Sequence, residues 1–249
     1  MIEYKDLTYS RPRASTIDQL DKETLKVLEW VGKSKTVLEM GCHTGNLSEW
    51  LQKNECKVTG VDINEQAIKI ARPYLDNWIT GNIEHESFWK QLQGKKFDVI
   101  TFMHVLEHLT DPWEVLNVSK NYLTQEGVII VGLPNILNAK DRFNMFFGEF
   151  NYTKEGVMDQ THLRFFNYKT AHQLIEQADL KITGYYSPWQ VNPIHCFIDH
   201  LPVIWRMKNL FKLNKVPVLF RERANLTDVV MLFKCELKKN GAFHNHSKL

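Results

Sequence analysis

The chain has 249 residues, 43% of them apolar and 24% charged. That apolar fraction excludes disorder for most of the chain, and the length suits one substantial α/β domain. Lysine and arginine (31) exceed aspartate and glutamate (29) by only two, so no nucleic-acid partner is expected. With four cysteines, no CxxC pair and no apolar core in the first residues, we expect a reduced, cytoplasmic protein.

Short β-branched runs alternate along the chain with amphipathic stretches. The predicted strands are 36–41, 57–63, 97–102, 127–134, 180–186 and 228–237. The predicted helices are 15–31 behind a Ser15-Thr16 cap, 46–54 after a glycine, 64–72 with Asn64 as N-cap, and one that begins at Asp111-Pro112-Trp113-Glu114. Strands that alternate with helices predict βαβ units, and therefore a doubly wound α/β fold with a mostly parallel sheet covered on both faces.

The stretch VLEMGCHTGNLSEWL (37–51) carries the first functional signal. A strand of buried type runs into a turn of small residues and then into a helix, and Gly41 and Gly45 allow the backbone to approach a ligand closely. Asp62 follows Gly41 by 21 residues at the end of the next strand, where a carboxylate can accept hydrogen bonds from ribose hydroxyls. Together these features favour a ligand that contains a nucleoside.

Several motifs make residues 35–187 similar to class I S-adenosylmethionine-dependent methyltransferases. They are VLEMGCHTG (37–45), VDIN (61–64), GNIE (81–84), FDVITFMHVLEHLTDP (97–112) and GVIIVGLPN (127–135). The later segment DQTHLRFF (159–166) is typical of a bacterial subfamily linked to cell-envelope glycan or other small-molecule pathways. The resemblance implies a seven-stranded Rossmann-like sheet and S-adenosylmethionine as cofactor.

The resemblance also assigns cofactor contacts. Gly41, Cys42 and Gly45 would face the methionine part of the cofactor, and Glu39 holds the acidic position typical of the end of the first strand. Arg11 or Arg13, ahead of the first helix, would meet the cofactor carboxylate. His43 departs from the usual pattern, since it replaces the central glycine of the first motif.

Further along the chain, Asp62 would bind the ribose and Ile63 would pack on the adenine. Asn82 and its neighbour Ile83 belong to the third motif, in which the Asn82 oxygen would accept from the adenine amino group. Met103 would lie beneath the transferable methyl group.

The hexapeptide HVLEHL (104–109) places His104, Glu107 and His108 at i, i+3 and i+4, on one face if the segment is helical. His162, which follows later, could reach the same place. Similar turns of the form E-x-x-E-H with a later histidine hold a divalent metal in ubiquinone-pathway O-methyltransferases and small-RNA 2′-O-methyltransferases. By that resemblance, all four residues are metal-ligand candidates, and His104 in place of a glutamate would favour Zn²⁺, Mn²⁺ or Fe²⁺ over Mg²⁺.

Two other interpretations of this turn stay open. His104 or His108 could act as a general base, because an imidazole titrates near neutral pH, with Glu107 and His162 completing the catalytic group. Alternatively, Glu107 and His108 only brace the loop, as in related enzymes that use no metal.

The expected organisation follows from these assignments. The expected units are an N-terminal cap and first helix (1–34), a cofactor-binding core (35–187) with a lid (136–161), an aromatic helical insertion (188–227), a last strand (228–238) and a tail (239–249). The lid could cover the acceptor or be a surface excursion. The insertion could form a cover, a dimer contact or a peripheral membrane contact.

The leading functional hypothesis is O-methylation of a small molecule, sugar or glycan precursor with a histidine base; N-methylation is the second option. One alternative is metal-assisted methylation of an acceptor with vicinal hydroxyls. Another, from a different class, is a non-catalytic cofactor-binding subunit that serves a partner.

Overall fold

A computed structural model describes residues 13–191 and 227–238 of the chain. The predictions for Arg11, for most of the insertion and for the tail 239–249 lie outside the described residues. The prediction of a cover, dimer or membrane contact through 188–227 therefore stays untested.

The described residues contain a seven-stranded sheet in the order β3-β2-β1-β4-β5-β7-β6. Its strands are β1 Thr36–Met40, β2 Lys57–Asp62, β3 Asn77–Thr80, β4 Phe97–Met103, β5 Leu123–Pro134, β6 Leu180–Tyr186 and β7 Val230–Leu237. The first five are parallel, and β7 lies antiparallel between β5 and β6. The predicted doubly wound, mostly parallel sheet is confirmed, and so are all six predicted strands. The short edge strand β3 was missed, because only Ile79 in it is buried.

Seven α-helices are described: α1 Lys22–Val31, α2 Asn46–Lys53, α3 Glu65–Ala71, α4 Glu86–Lys90, α5 Pro112–Ser119, α6 Ala139–Phe146 and α7 Tyr168–Gln177. The predicted caps Asn64 and Asp111 are confirmed, since each side chain accepts from backbone N–H groups of its helix. The prediction that the first helix begins at 15 is wrong. Asp21 caps it by accepting from the Thr24 N–H, which starts the helix at Lys22. Among the described residues, no helix combines the length and apolar character needed to cross a membrane.

Apolar side chains cover both faces of the sheet. One core cluster packs α4, α5 and α7 against side chains such as Leu38 and Ile100. The other packs α1, α2 and α3 against side chains such as Val37 and Val58. Neighbouring strand residues thus enter opposite clusters, as the two-residue repeat of a strand requires. Burial on both faces explains why the strands read as continuous apolar runs.

The strand order places a topological switch point at β1, which pairs with β2 on one side and β4 on the other. In open α/β sheets, ligands bind at such a point, outside the carboxyl ends of the strands. The motif segments predicted to bind a ligand all lie at this edge of the sheet. Each is at the carboxyl end of one of the first four strands: 41–46, 62–64, 81–84 and 104–108.

The turns after β1 and β4 touch each other, which leaves no room for a side chain at Gly41. Its φ is +74°, and an added Cβ would lie 2.5 Å from the Val105 Cγ2 atom. Gly94 offers a matched control, since its φ is +77° but nothing lies within 4 Å of an added Cβ.

We predict that Gly41→Ala lowers the free energy of unfolding by about 1–3 kcal/mol more than Gly94→Ala does. Both alanines pay the cost of a left-handed backbone, roughly 1–2 kcal/mol, but only the first also overpacks the turn. Urea unfolding of both variants measures the difference. Equal losses would show that the contact between the two turns tolerates a methyl group.

Candidate active site

A cleft of about 540 Å³ opens at the carboxyl ends of β1 to β4. The predicted cofactor residues that line it are Gly41, Asp62, Ile63, Asn82, Ile83 and Met103. His104 and His108 of the HVLEHL turn line it as well. The volume lies within the range of small-molecule sites, and the residues come from four strands, so the fold itself brings them together.

The loop after β1 is held to β2 by backbone hydrogen bonds. The N–H groups of Gly41 and Cys42 donate to the Val61 carbonyl at 2.8 and 2.9 Å. His43 adopts a φ of +46°, a conformation that glycine ordinarily takes, and its N–H donates to Asp62 Oδ2 at 2.8 Å. The carboxylate of Asp62 therefore stabilises the backbone of the residue that replaces the usual glycine.

Asp62 has acceptor capacity left for a ligand. Its Oδ2 accepts from His43, and its Oδ1 accepts from the Asn64 N–H at 2.9 Å. Each carboxylate oxygen can accept a second hydrogen bond, as ribose hydroxyls would require. The neighbouring Ile63 is 37% exposed, so it presents an apolar surface in the same cleft.

Backbone contacts fix the segment after β3. Asn82 Oδ1 accepts from the Glu84 N–H at 2.9 Å and keeps one lone pair for a ligand. Ile83 is buried, and its carbonyl accepts from the Trp89 indole N–H at 2.8 Å. The geometry is compatible with the predicted adenine contacts, which stay predictions.

Three other predicted cofactor residues do not line the cleft. Glu39 is buried and accepts from the Ser48 hydroxyl at 2.5 Å. The Cys42 side chain lies in the core beneath the loop, where burial raises the pKa of its thiol. Gly45, with a φ of +81°, is the N-cap of α2. The predicted contact of Cys42 with the cofactor stays a prediction, and with the thiol in the core only the Cys42 backbone would be placed to make it.

Arg13 is the alternative to Arg11 as the predicted ligand of the cofactor carboxylate. In the structure its guanidinium pairs with Glu49 at 2.9 Å, donates to the Thr44 carbonyl and lies over the Tyr74 ring. Arg13 therefore braces the outer side of the first loop and α2.

The HVLEHL segment is not the predicted α-helical turn. His104 follows β4 directly with a φ of +55°, and Leu106–His108 form a short 3₁₀ turn. His104 and Glu107 still meet, with His104 Nδ1 3.4 Å from Glu107 Oε1.

His104 lies between two carboxylates. Its Nε2 is 2.7 Å from Glu23 Oε1, and Glu23 is a buried residue of α1. Burial disfavours the imidazolium, but the charges and hydrogen bonds of Glu23 and Glu107 outweigh it and raise the pKa of His104 to about 10. Glu23 was not predicted as a site residue. The sequence does indicate its burial, because Glu23 precedes Val27 by four residues and so lies on the apolar face of α1.

Glu107 is fully buried. Among the described residues, its carboxylate oxygens accept no well-formed hydrogen bond, since the contact of Oε1 with His104 Nδ1 is long, at 3.4 Å. Burial alone would raise the pKa of Glu107, but the facing His104 imidazole outweighs burial and lowers it. His162 Nε2 lies 4.0 Å from Glu107 Oε1. The turn thus encloses a charged, desolvated carboxylate surrounded by imidazoles.

His108 and His162 turn the same ring atom towards backbone carbonyls. His108 Nδ1 lies 3.2 Å from the Thr161 oxygen, and His162 Nδ1 lies 3.1 Å from the Val157 oxygen. A carbonyl only accepts, so each Nδ1 carries a proton, and Nε2 is the acceptor atom of each ring in its neutral form. Burial lowers the pKa of His162, which favours this neutral form.

Three of the four predicted metal ligands come together. One ligand atom from each of Glu107, His108 and His162 lies within 4.8 Å of the other two. His104 is absent from this group because its ring is held by Glu23. The segment just after the predicted lid reaches the same turn, where the N–H groups of Leu163 and Arg164 donate to the Glu107 carbonyl at 2.9 and 3.0 Å.

Glu39 generates a prediction about pH and stability. Burial raises its pKa from 4.5 to about 7, opposed by the Ser48 hydroxyl and assisted by the negative charge of Asp62. Between those two pH values the unfolded chain releases the Glu39 proton and the folded chain keeps it. Raising the pH through this window therefore favours unfolding, by on the order of 3 kcal/mol at most.

We predict that Glu39→Gln, which keeps an oxygen for Ser48, gains free energy of unfolding relative to the unsubstituted protein between pH 4.5 and 7. Denaturant unfolding of both proteins at pH 5 and pH 8 measures this difference. A difference that is the same at both pH values would contradict the raised pKa.

Comparison with known proteins agrees with this geometry. Residues 13–184 match the family profile described as a methyltransferase domain. A ubiquinone biosynthesis O-methyltransferase of Glaesserella parasuis is 35% identical over 108 residues, which cover 41% of this chain and 46% of that protein. A Pasteurella multocida protein of the same name is 33% identical over 113 residues, 41% of this chain and 47% of its own. The match thus spans about half the length of these relatives.

Solved structures share the fold. A methyltransferase dependent on S-adenosylmethionine from Archaeoglobus fulgidus superposes with a TM-score of 0.56 at 18% identity, covering 86% of this chain and 90% of its own. The N-methyltransferase NodS from Bradyrhizobium japonicum, in complex with S-adenosyl-L-homocysteine, gives 0.52 at 16% identity, covering 88% and 87%. With the family match over 13–184, the chain belongs to the methyltransferase-domain family.

Proposed function

We propose that the protein methylates an oxygen of a small molecule, sugar or glycan precursor, with His108 as the general base. The observation that carries this proposal is the placement of His108 in the cleft, with Nδ1 held by the Thr161 carbonyl. The relatives named as ubiquinone biosynthesis O-methyltransferases support an oxygen acceptor. Family membership in an enzyme class counts against a non-catalytic binding subunit.

His108 suits the role better than His104. Both ring nitrogens of His104 face carboxylates, at 2.7 Å from Glu23 and 3.4 Å from Glu107. His108 lines the cleft and turns only Nδ1 to the Thr161 carbonyl, so Nε2 is the ring nitrogen that can take a proton from a hydroxyl.

When bound, S-adenosylmethionine supplies a methyl group already activated by a positively charged sulfur. The residues of the chain then have to position the acceptor, exclude water and accept one proton. Asp62 and Asn82 offer acceptors to the nucleoside, and Met103 packs against Gly132 at the end of β4, on the floor of the cleft. Positioning of this kind can lower a barrier by about 7–11 kcal/mol.

We predict that His108→Gln lowers the rate of methyl transfer by about 10²- to 10⁴-fold, the usual contribution of a general base, without changing the affinity for S-adenosylhomocysteine. Transfer of a labelled methyl group to a panel of vicinal diols, single hydroxyls and amines measures the rate. His85→Gln, on the exposed N-terminus of α4, is the control and should be fully active. An unchanged rate in the His108 variant would refute the base.

A second candidate mechanism rests on the Glu107, His108 and His162 group. The residues fit a divalent metal, because the buried Glu107 carboxylate has only a long contact of Oε1 with His104, at 3.4 Å, and its Oε2 has no partner among the described residues. Histidine ligands of metals commonly donate their other ring N–H to a carbonyl, as His108 and His162 do. Two imidazoles and one carboxylate suit Mn²⁺, Fe²⁺ or Zn²⁺ better than Mg²⁺. A metal there would lower the pKa of a bound hydroxyl and orient two neighbouring oxygens.

We predict for this mechanism that the protein, loaded with Mn²⁺ or Zn²⁺ and dialysed, retains about one ion per chain by elemental analysis. Glu107→Gln and His162→Ala should each lose it, since three ligands are the fewest that hold such an ion firmly. His172→Ala, which removes a half-buried imidazole elsewhere, should retain it. Equal retention in all variants, or none in the unsubstituted protein, would exclude the metal and leave His108 as the base.

A further inference from the structure

Asn46 is a polar residue of the cleft that no motif assigns. It is the first residue of α2 and lines the cleft beside Gly41. Its Oδ1 is buried and has no hydrogen-bond partner among the described residues. Thr44 Oγ1, in the same loop, is also buried without a partner there, but Thr44 does not line the cleft. A buried carbonyl oxygen without a donor is unfavourable, so Asn46 has an unmet requirement that a ligand can satisfy.

The position of Asn46 decides which part of the cofactor it meets. Asp62 and Asn82 follow β2 and β3, on one side of the switch point. Asn46 follows β1, and His104, which follows the neighbouring β4, lines the same cleft. With the nucleoside over β2 and β3, the amino-acid part of the cofactor extends over β1 and β4, towards Asn46.

That amino-acid part ends in a carboxylate and an ammonium group. The ammonium carries three donors and no acceptor, and taking it out of water requires hydrogen-bond acceptors. Glu39, the acidic residue at the end of β1, is outside the cleft lining, and its carboxylate accepts from Ser48. The Asn46 amide carbonyl is an oxygen of the cleft lining that has no donor among the described residues, so it can accept from the ammonium.

We propose that Asn46 Oδ1 accepts a hydrogen bond from the α-ammonium of S-adenosylmethionine and so selects for the amino-acid part of the cofactor. This assignment concerns cofactor binding only. It does not depend on the acceptor molecule, on His108 as base or on a metal.

The test compares two ligands by calorimetry on the full-length protein. One is S-adenosylhomocysteine; the other is its deamino analogue, which keeps the nucleoside, thioether and carboxylate but lacks the ammonium. Asn46→Ala should weaken S-adenosylhomocysteine by about 10- to 100-fold, the effect of one hydrogen bond to a charged group. The affinity for the deamino analogue should change by no more than about two-fold, because the hydrogen bond is already absent.

Matched variants make the result specific. Asn54→Ala, at the other end of α2, should bind both ligands normally. Asp62→Ala should weaken both ligands alike, because both carry the ribose. Asn46→Asp should keep the preference for S-adenosylhomocysteine, since a carboxylate accepts from the ammonium. If Asn46→Ala does not fold, Asn46→Leu provides the same comparison at similar volume.

Three results would overturn the proposal. Unchanged binding of S-adenosylhomocysteine would remove Asn46 from the site. Equal losses for both ligands would show that Asn46 does not act through the ammonium group. A third ligand, 5′-(3-aminopropylthio)adenosine, keeps the ammonium and lacks the carboxylate. If Asn46→Ala weakened S-adenosylhomocysteine and left this amine unaffected, the Asn46 amide would donate to the carboxylate instead.

Discussion

The buried carboxylate of Glu107 is the constraint on which the rest of the site depends. A desolvated charge is stable in a protein only when opposite charges or donors surround it. Here the imidazoles of His104 and His162 face that charge, and the peptide carbonyl of Glu107 accepts from the N–H groups of Leu163 and Arg164. Glu107, in the 3₁₀ turn that follows β4, therefore connects this edge of the sheet with two other parts of the protein. One is α1, through His104 and Glu23, and the other is the segment that carries His162.

A second constraint is the close approach of the turns after β1 and β4. Both begin with a residue of positive φ, Gly41 and His104, so both strands stop abruptly at the switch point. Val105 then packs where a side chain at Gly41 would be. The cofactor loop and the histidine turn are thus in direct contact, and a displacement of one is transmitted to the other. This contact explains how residues from different βα units keep fixed positions around a single cleft.

Much of the fold could be predicted because its signals are local. Continuous apolar strands, glycines at the turn, and the caps Asn64 and Asp111 all follow from short-range chemistry. The missed features depend on partners distant in sequence. Glu23 becomes significant only when α1 packs beside His104, 81 residues away. Asn46 is an ordinary helix-start residue until the cleft leaves its oxygen without a donor. The start of α1 was misplaced because Asp21 competes with Ser15 and Thr16 as a cap, and sequence alone does not rank them.

The substitution of histidine at position 104 has a consequence for the chemistry. In the similar E-x-x-E-H turns, a glutamate at this position belongs to the metal ligands. Here the imidazole turns to Glu23 and leaves only Glu107, His108 and His162 within reach of one ion. Compared with a site of four protein ligands, these three residues provide one carboxylate fewer and leave one more coordination position of the metal open. An ion held there would be less well neutralised by the protein, which would strengthen its hold on acceptor oxygens. Without an ion, the same geometry leaves His108 Nε2 as the proton acceptor of the proposed base mechanism, so occupancy by metal would decide between the two proposed mechanisms.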